Sequence, residues 1–253
     1  MTSRLSGQAA NRDQQFLIRR GFDRLARFYD ALLFFTSGSL LSRARLAHVQ
    51  RLLAAESLLI LGGGSGRFLI DILERGFQGR IAFLDISGSM ILKAQQKLRA
   101  WQQKQMIRSR TAPNVTWIQA PIAQVPPEQR FDAISANFYL DLFDPAELQQ
   151  QINSIQNKLN PGGRLFFCDF AVRPNSSWWQ RLIVWSLYRF FRISCHISAG
   201  TLPDWQTVLP PQNWTILAEA SWWRGLVVSR CYTLQTGNQG GAAGTITGLD
   251  LSR

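Results

Sequence analysis

The sequence predicts an α/β fold, a doubly wound and mostly parallel seven-stranded sheet preceded by a helical cap. Three observations support this prediction. Short apolar runs alternate with helix-period segments from residue 57 to residue 170. The first apolar run ends in a glycine cluster, Gly62-Gly63-Gly64-Ser65-Gly66, directly before a helical pattern. The last two strand-like runs follow each other with only a short turn between them, which is typical of a terminal hairpin.

The sequence predicts three regions. Residues from about 13 to 54 have a helical pattern, with Phe16, Leu25 and Phe28 at helical intervals, and we expect residues 1–54 to form a cap or lid over the ligand edge of the sheet. Residues 55–234 form the predicted cofactor-binding domain. Residues 235–253 are rich in glycine and small polar residues, which predicts a flexible tail.

The elements of the central domain are predicted from their hydrophobic period and their turn residues. Strands are expected at 57–61, 80–85, 115–119, 131–136, 164–170, 214–220 and 226–234. Helices are expected at 68–74, 89–106, 145–158 and 177–191. Because strands and helices alternate up to residue 170, the first five strands should be parallel.

The glycine cluster and a later aspartate predict a nucleotide-type cofactor site. Glycine is needed where the backbone adopts a positive φ or touches a ligand, and the helix that follows offers free N–H groups. A dinucleotide fingerprint would need glycine or alanine at Arg67, so the spacing favours a cofactor other than NAD. Asp85, about nineteen residues after Gly66, ends the second strand and can accept both hydroxyls of a ribose.

At these residues the chain resembles the class I S-adenosylmethionine (SAM)-dependent methyltransferases. Their glycine loop runs acidic-x-Gly-x-Gly-x-Gly and their second strand ends in an acid, and this chain matches at Gly62, Gly64, Gly66 and Asp85. The resemblance implies a Rossmann-like sheet and SAM as the cofactor. It also implies further cofactor contacts at Ile86, Pro121, Ile122, Asn137 and Tyr29.

Two other segments carry the resemblance. The run Leu159-Asn160-Pro161-Gly162-Gly163 is similar to the turn by which the family enters its fifth strand. Residues 22–30 are similar to the amino-terminal helix of the ubiquinone/menaquinone branch (methyltransferase type 11), where the Tyr29-Asp30 pair begins a lid over the cofactor. Methyl transfer is an in-line displacement that depends mainly on alignment, so no catalytic residue is assigned.

The chain departs from the family pattern at two places. Ile60 stands where the family has an acid at the end of its first strand, and Ala120-Pro121-Ile122 replaces an acid near the adenine amine. Backbone N–H groups at Ile122 or Ala123 can serve the adenine instead. Either other residues compensate, or the chain is a noncatalytic binding or assembly protein on a degenerate methyltransferase fold.

The substrate side has polar and apolar candidates. At the end of the fourth strand Asn137 is a polar contact, whereas Tyr139 and Asp141 suit either catalysis or loop packing and capping. The helix predicted at 177–191 sets arginines such as Arg181 against an aromatic stripe, a pattern that suits an anionic membrane, a cover over a hydrophobic substrate, or plain packing on the sheet.

Composition limits the classes of partner. The net charge of +12 favours anionic partners, and the three scattered cysteines and two histidines predict neither a disulfide framework nor a metal site. No apolar run is long enough for a spanning helix, so we expect a cytoplasmic protein, with peripheral membrane contact as an option. The predicted activity is methyl transfer to an oxygen or carbon of a hydrophobic quinone-, lipid- or polyketide-like molecule. RNA is the less favoured alternative substrate.

Overall fold

The computed structural model describes residues 40–106, 114–171, 177–182 and 203–235. Its strands are β1 (Ser57–Leu61), β2 (Arg80–Leu84), β3 (Val115–Ile118), β4 (Phe131–Asn137), β5 (Leu159–Phe170), β6 (Trp214–Trp222) and β7 (Val227–Leu234). Its helices are α1 (40–46), α2 (Val49–Leu52), α3 (Arg67–Glu74), α4 (Gly88–Met106), α5 (Pro145–Lys158), α6 (178–182) and α7 (Trp205–Val208). Two 3₁₀ turns lie at Ile122–Gln124 and Leu140–Leu142.

The seven strands form one sheet in the order β3-β2-β1-β4-β5-β7-β6. The pairs among β1 to β5 are parallel, and β7 is antiparallel to both of its neighbours. The short turn between β6 and β7 permits only an antiparallel hairpin, since a parallel pair needs a longer crossover. The predicted doubly wound, mostly parallel sheet is confirmed. The ends of β1 to β5 therefore meet at one edge, called here the carboxyl edge.

The central strands are buried on both faces. All five residues of β1 are buried, as are four of the five residues of β2. Helices covering both faces of a parallel sheet explain why these strands read as continuous apolar runs. Alternate residues of β1 and β2 pack into two apolar clusters, one on each face of the sheet. This packing on both faces holds the strands, and therefore their carboxyl ends, in place.

The entry into β5 differs from the expected turn before a strand at residue 164. Leu159 already pairs with Phe131, and the register shifts before Arg164 pairs with Ala133. Gly162 has a φ of +75° within this irregularity. The Pro-Gly-Gly run is thus an irregularity inside β5, because the strand pairs on both sides of it.

Part of the predicted cap is described. In α1, Leu41 and Ala44 are buried against Cys168 and Val227, which lie near the carboxyl end of β5. Tyr29 and the rest of residues 1–39 lie outside the described residues, as do the predicted helix beyond residue 182 and the tail beyond residue 235. In the described ranges, no helix combines the length and hydropathy needed to cross a bilayer.

Candidate functional site

The glycine loop connects β1 to α3 at the carboxyl edge. Gly62, Gly64 and Gly66 have φ values of +55°, +55° and +81°, in the left-handed region that side chains disfavour. Gly66 is the N-cap of α3, and its carbonyl accepts the N–H of Ile70. A β-carbon on Gly66 would also lie 2.6 Å from the Cβ of Ala94 in α4. The backbone conformation therefore favours glycine at all three predicted positions, and at Gly66 the packing against α4 requires it as well.

Gly63 is a loop residue that the sequence analysis did not single out. A β-carbon there would lie 2.7 Å from Cε1 of Phe83 and closer still to Cζ and Cε2 of the same ring. The Gly63 N–H donates to the carbonyl of Leu84 at 3.1 Å, which ties the loop to the end of β2. Only the packing of β2 against the loop reveals this requirement.

Asp85 follows β2 and holds the loop by its carboxylate. Oδ2 accepts the N–H of Gly64 at 2.8 Å, and Oδ1 accepts the N–H of Ser87 at 2.8 Å. The structure thus brings together the glycine loop and the acid that the sequence predicted to be neighbours. Because a carboxylate offers about four lone-pair positions, this orientation is compatible with accepting ribose hydroxyls as well.

Two serines support the same corner. The Oγ of Ser87 accepts the N–H of Met90 at 3.2 Å and thereby caps the start of α4. The Nζ of Lys97, on α4, donates to the Oγ of Ser65 in the glycine loop at 2.9 Å. The loop is therefore held by both β2 and α4, which preorganises it for a ligand.

Tyr139 covers the start of the glycine loop. A β-carbon on Gly62 would lie 2.5 Å from Cδ2 of Tyr139. The tyrosine hydroxyl donates to Oε1 of Gln151 at 2.9 Å, and burial together with the negative charge of Asp85 raises the pKa of Tyr139. A buried phenol with a raised pKa stays protonated, so no phenolate is available to accept a proton, and the structure favours the packing interpretation of Tyr139 over the catalytic one.

The other described residues predicted to contact the cofactor lie at or beyond the ends of β2, β3 and β4, and each has a different local environment. Asn137 ends β4 and donates from Nδ2 to the Oγ of Ser135 at 2.7 Å, a neighbour on the same face of the strand. Ile122 is fully buried, and Pro121 is the N-cap of the short 3₁₀ turn beyond β3. The Ile86 carbonyl accepts Nε2 of Gln119 at 3.5 Å. Their roles as cofactor contacts remain predictions.

Ile60 belongs to the apolar core. Its side chain is 2% exposed and packs in the cluster that α3 and α4 form on one face of the sheet. An acid at this position would lose its hydration among these apolar side chains. The substitution of the family's acid is therefore consistent with the local packing.

A pair of buried carboxyl groups lies at the ends of β4 and β5, and sequence reasoning considered only one of them. Asp169 is fully buried, and its Oδ2 accepts the N–H of Asp141 at 3.2 Å while Oδ1 accepts the N–H of Phe170 at 2.9 Å. Burial and the nearby carboxyl of Asp141 raise the pKa of Asp169. The signal that could have found Asp169 is an acid near the end of an otherwise apolar strand.

Comparisons with known proteins find methyltransferases. Residues 59–165 match the family described as a methyltransferase domain. The chain is 23% identical to the ubiquinone/menaquinone biosynthesis C-methyltransferase UbiE of Paracoccus denitrificans, over 65% of this chain and 63% of that protein. It is 28% identical to UbiE of Methylococcus capsulatus, over 63% and 62% respectively. The chain thus matches less than two thirds of the length of these relatives.

Solved structures share the fold. The N-methyltransferase NodS from Bradyrhizobium japonicum, solved with S-adenosyl-L-homocysteine (SAH), has a TM-score of 0.57 at 17% identity, over 86% of this chain and 98% of that one. The mitomycin 7-O-methyltransferase MmcR has a TM-score of 0.60 at 15% identity, over 89% and 67% respectively. Residues 59–165 are thus similar to the methyltransferase domain family, and the chain shares the class I methyltransferase fold of these solved structures.

Proposed function

We propose that this protein transfers a methyl group from SAM to an oxygen or carbon atom of a hydrophobic small molecule. The observation that carries the proposal is the corner formed by the glycine loop and Asp85, where the Gly64 N–H donates to the Asp85 carboxylate. This corner lies inside the segment that matches the methyltransferase domain family. It also combines the two sequence features by which the chain resembles class I methyltransferases.

In this proposal, residues at the carboxyl edge hold the groups of SAM. The Asp85 carboxylate, which lies beside the glycine loop and accepts the Gly64 N–H, would accept the ribose hydroxyls, and the start of α3 would contribute N–H groups beside the loop. Ile86, Pro121 and Ile122 lie next to this corner at the ends of β2 and β3, where the adenine would lie. When bound, SAM supplies an electrophilic methyl group, and the protein contributes chiefly by aligning the acceptor with it.

An oxygen or carbon acceptor must lose a proton during transfer. No described residue is assigned as the base. Asp169, near the end of β5, is fully buried, and burial together with the carboxyl of Asp141 raises its pKa, which favours the protonated form.

Two observations support a hydrophobic acceptor. Phe138, Phe170, Trp222 and Trp223 are partly buried around one cluster at the carboxyl edge. In addition, the UbiE relatives are named for C-methylation in ubiquinone and menaquinone biosynthesis. A quinone-like ring with an apolar chain satisfies both observations, so C-methylation of such a ring is the finer form of the proposal.

Calorimetric titration of the purified full chain with SAM and SAH, with NAD as a control ligand, tests the cofactor assignment. Micromolar binding of SAM and SAH without NAD binding would support it, and quinone-like acceptors would then be screened for methylation. Absence of binding to SAM and SAH would instead favour a noncatalytic scaffold. Methylation of RNA, with a steep loss of RNA binding at raised salt, would replace the small-molecule acceptor.

A further inference from the structure

The described residues of α6, 178–182, present two large apolar side chains to solvent. Trp178 is 77% exposed and Leu182 is 50% exposed. These residues are four positions apart in a helix, so their side chains lie on the same face. A paired aromatic and aliphatic surface of this kind differs from single exposed apolar residues, which are common on proteins.

This exposed face is held by a buried anchor. Gln180, in the middle of α6, is 1% exposed, and its Nε2 donates to the carbonyl of Trp223 at 2.7 Å. Its Oε1 accepts the N–H of Ser177 at 2.7 Å. Because both ends of the Gln180 amide are bonded, α6 is fixed to the turn between β6 and β7 with Trp178 and Leu182 outward.

Two exposed arginines belong to α6 and to the turn that Gln180 contacts. Arg181 lies between the two apolar residues in sequence, and Arg224 lies in the β6–β7 turn next to Trp223. Both arginines are exposed. The chain as a whole carries a net charge of +12, so this surface adds local positive charge to a positively charged molecule.

The surface also lies at the carboxyl edge of the sheet. β7 begins at Val227, which pairs with Phe170 at the end of β5. Trp223 packs around the same apolar cluster as Phe138, which directly follows β4. The exposed face of α6 is therefore connected by packed side chains to the edge that carries the candidate site.

We propose that Trp178, Arg181, Leu182 and Arg224 form a docking surface for an anionic lipid bilayer. Trp178 and Leu182 enter the interface between headgroups and acyl chains, where tryptophan is favoured, and the two arginines contact anionic headgroups. A bilayer fits this surface better than RNA does, because the aliphatic Leu182 offers no ring on which a base can stack. Docking itself requires no methyl transfer, whereas its use in collecting a lipid-soluble acceptor rests on the proposed function.

Vesicle flotation of the full chain tests the proposal without cofactor or substrate. We expect binding to vesicles of phosphatidylcholine and phosphatidylglycerol in equal parts, and at least about tenfold weaker binding to phosphatidylcholine alone. Trp178→Ser with Leu182→Ser should weaken binding by about tenfold or more. Leu92→Ser is the matched control, since Leu92 is 59% exposed on α4, and it should stay within about twofold of the wild type.

The charge contribution is tested separately. Arg181→Glu with Arg224→Glu should abolish the preference for anionic vesicles, since each basic residue near the surface contributes about fivefold. Arg99→Glu, an exposed change on α4, should retain most of that preference. Circular dichroism and melting temperature show that each variant remains folded.

The proposal is overturned if the wild type does not float with anionic vesicles, or if the Trp178 and Leu182 variant floats as well as the wild type. Trp178-dependent binding of single-stranded RNA, with no flotation on anionic vesicles, would assign the surface to RNA instead. SAM binding is unaffected by any of these outcomes, so the failure of docking and the failure of the proposed activity are distinguishable.

Discussion

Gly63→Ala should destabilise the protein through a direct steric conflict with Phe83. The new β-carbon would lie 2.7 Å from Cε1 and closer to two other ring atoms, whereas ordinary carbon contacts are about 3.5–4.0 Å. The ring must therefore move by about 1 Å. Phe83 is fully buried and its ring centroid lies 4.9 Å from that of Trp117, so little space is available. We expect a loss of about 3 kcal/mol, the upper end for overpacking.

A double-mutant cycle isolates this conflict. Phe83→Leu removes the ring atoms that the new methyl group meets, at a cost below the roughly 3–5 kcal/mol of a phenylalanine-to-alanine change. In that background Gly63→Ala should cost about 1–3 kcal/mol less than it does alone. Gly76→Ala is the matched control, because Gly76 has a φ of +93° with no atom within 4 Å of a new β-carbon. It should show only the backbone cost of about 1–2 kcal/mol.

Denaturant unfolding gives the free energy of unfolding of the four members of the cycle. Calorimetric titration with SAM gives their cofactor affinity. At about 2–4 °C per kcal/mol, Gly63→Ala alone should lower the melting temperature by about 6–12 °C. A Gly63→Ala protein as stable as the wild type would refute the reasoning. So would an equal loss in the wild-type and Phe83→Leu backgrounds, because the conflict would then lie elsewhere.

Three further predictions concern single polar groups. Asp85→Ala should weaken SAM binding by about 1–3 kcal/mol in calorimetry. Asp144→Ala is the control, because it removes the N-cap of α5 and should lower only the stability of the protein. Equal SAM affinity for the Asp85 variant and the wild type would contradict the ribose assignment. Burial lowers the pKa of His48, so its contribution to stability is present above pH 6.5 and is lost as the pH falls below it. His48→Gln, which retains a donor for the Ser229 carbonyl, should flatten the fall in melting temperature between about pH 7.5 and 5.5, and an unchanged slope would rule out this assignment. Burial opposes ionisation of Asp132, but hydrogen bonds from Asn160 and Ser57 lower its pKa overall. In denaturant unfolding, Asp132→Ala should therefore lower the free energy of unfolding by about 1–2 kcal/mol at neutral pH and by progressively less below about pH 4. A loss of stability that does not depend on pH would argue against these bonds.

The boundaries of several elements were predictable because local residues set them. Strand β1 ends where Gly62 begins the loop, and helix α5 begins at Pro145 because Asp144 and Glu147 form a capping box around its first turn. The Gly62, Gly64 and Gly66 positions were predictable for the same reason, since their positive φ values are a property of the turn itself. The position of Asp85 beside the loop followed from the parallel topology alone.

Other features depended on contacts between residues distant in sequence. The requirement for glycine at position 63 arises from the Phe83 ring on a neighbouring strand, and the packing of Tyr139 against Gly62 arises from the return of the chain after β4. Asp141 and Asp169 are 28 residues apart, and only the pairing of β4 with β5 brings them together. The sequence by itself determined the α/β class, the glycine loop and the acid beside it, because these follow from hydrophobic period and turn chemistry. The tertiary structure decided which side chains face one another at the carboxyl edge, because that depends on strand register and side-chain packing, which no local pattern encodes.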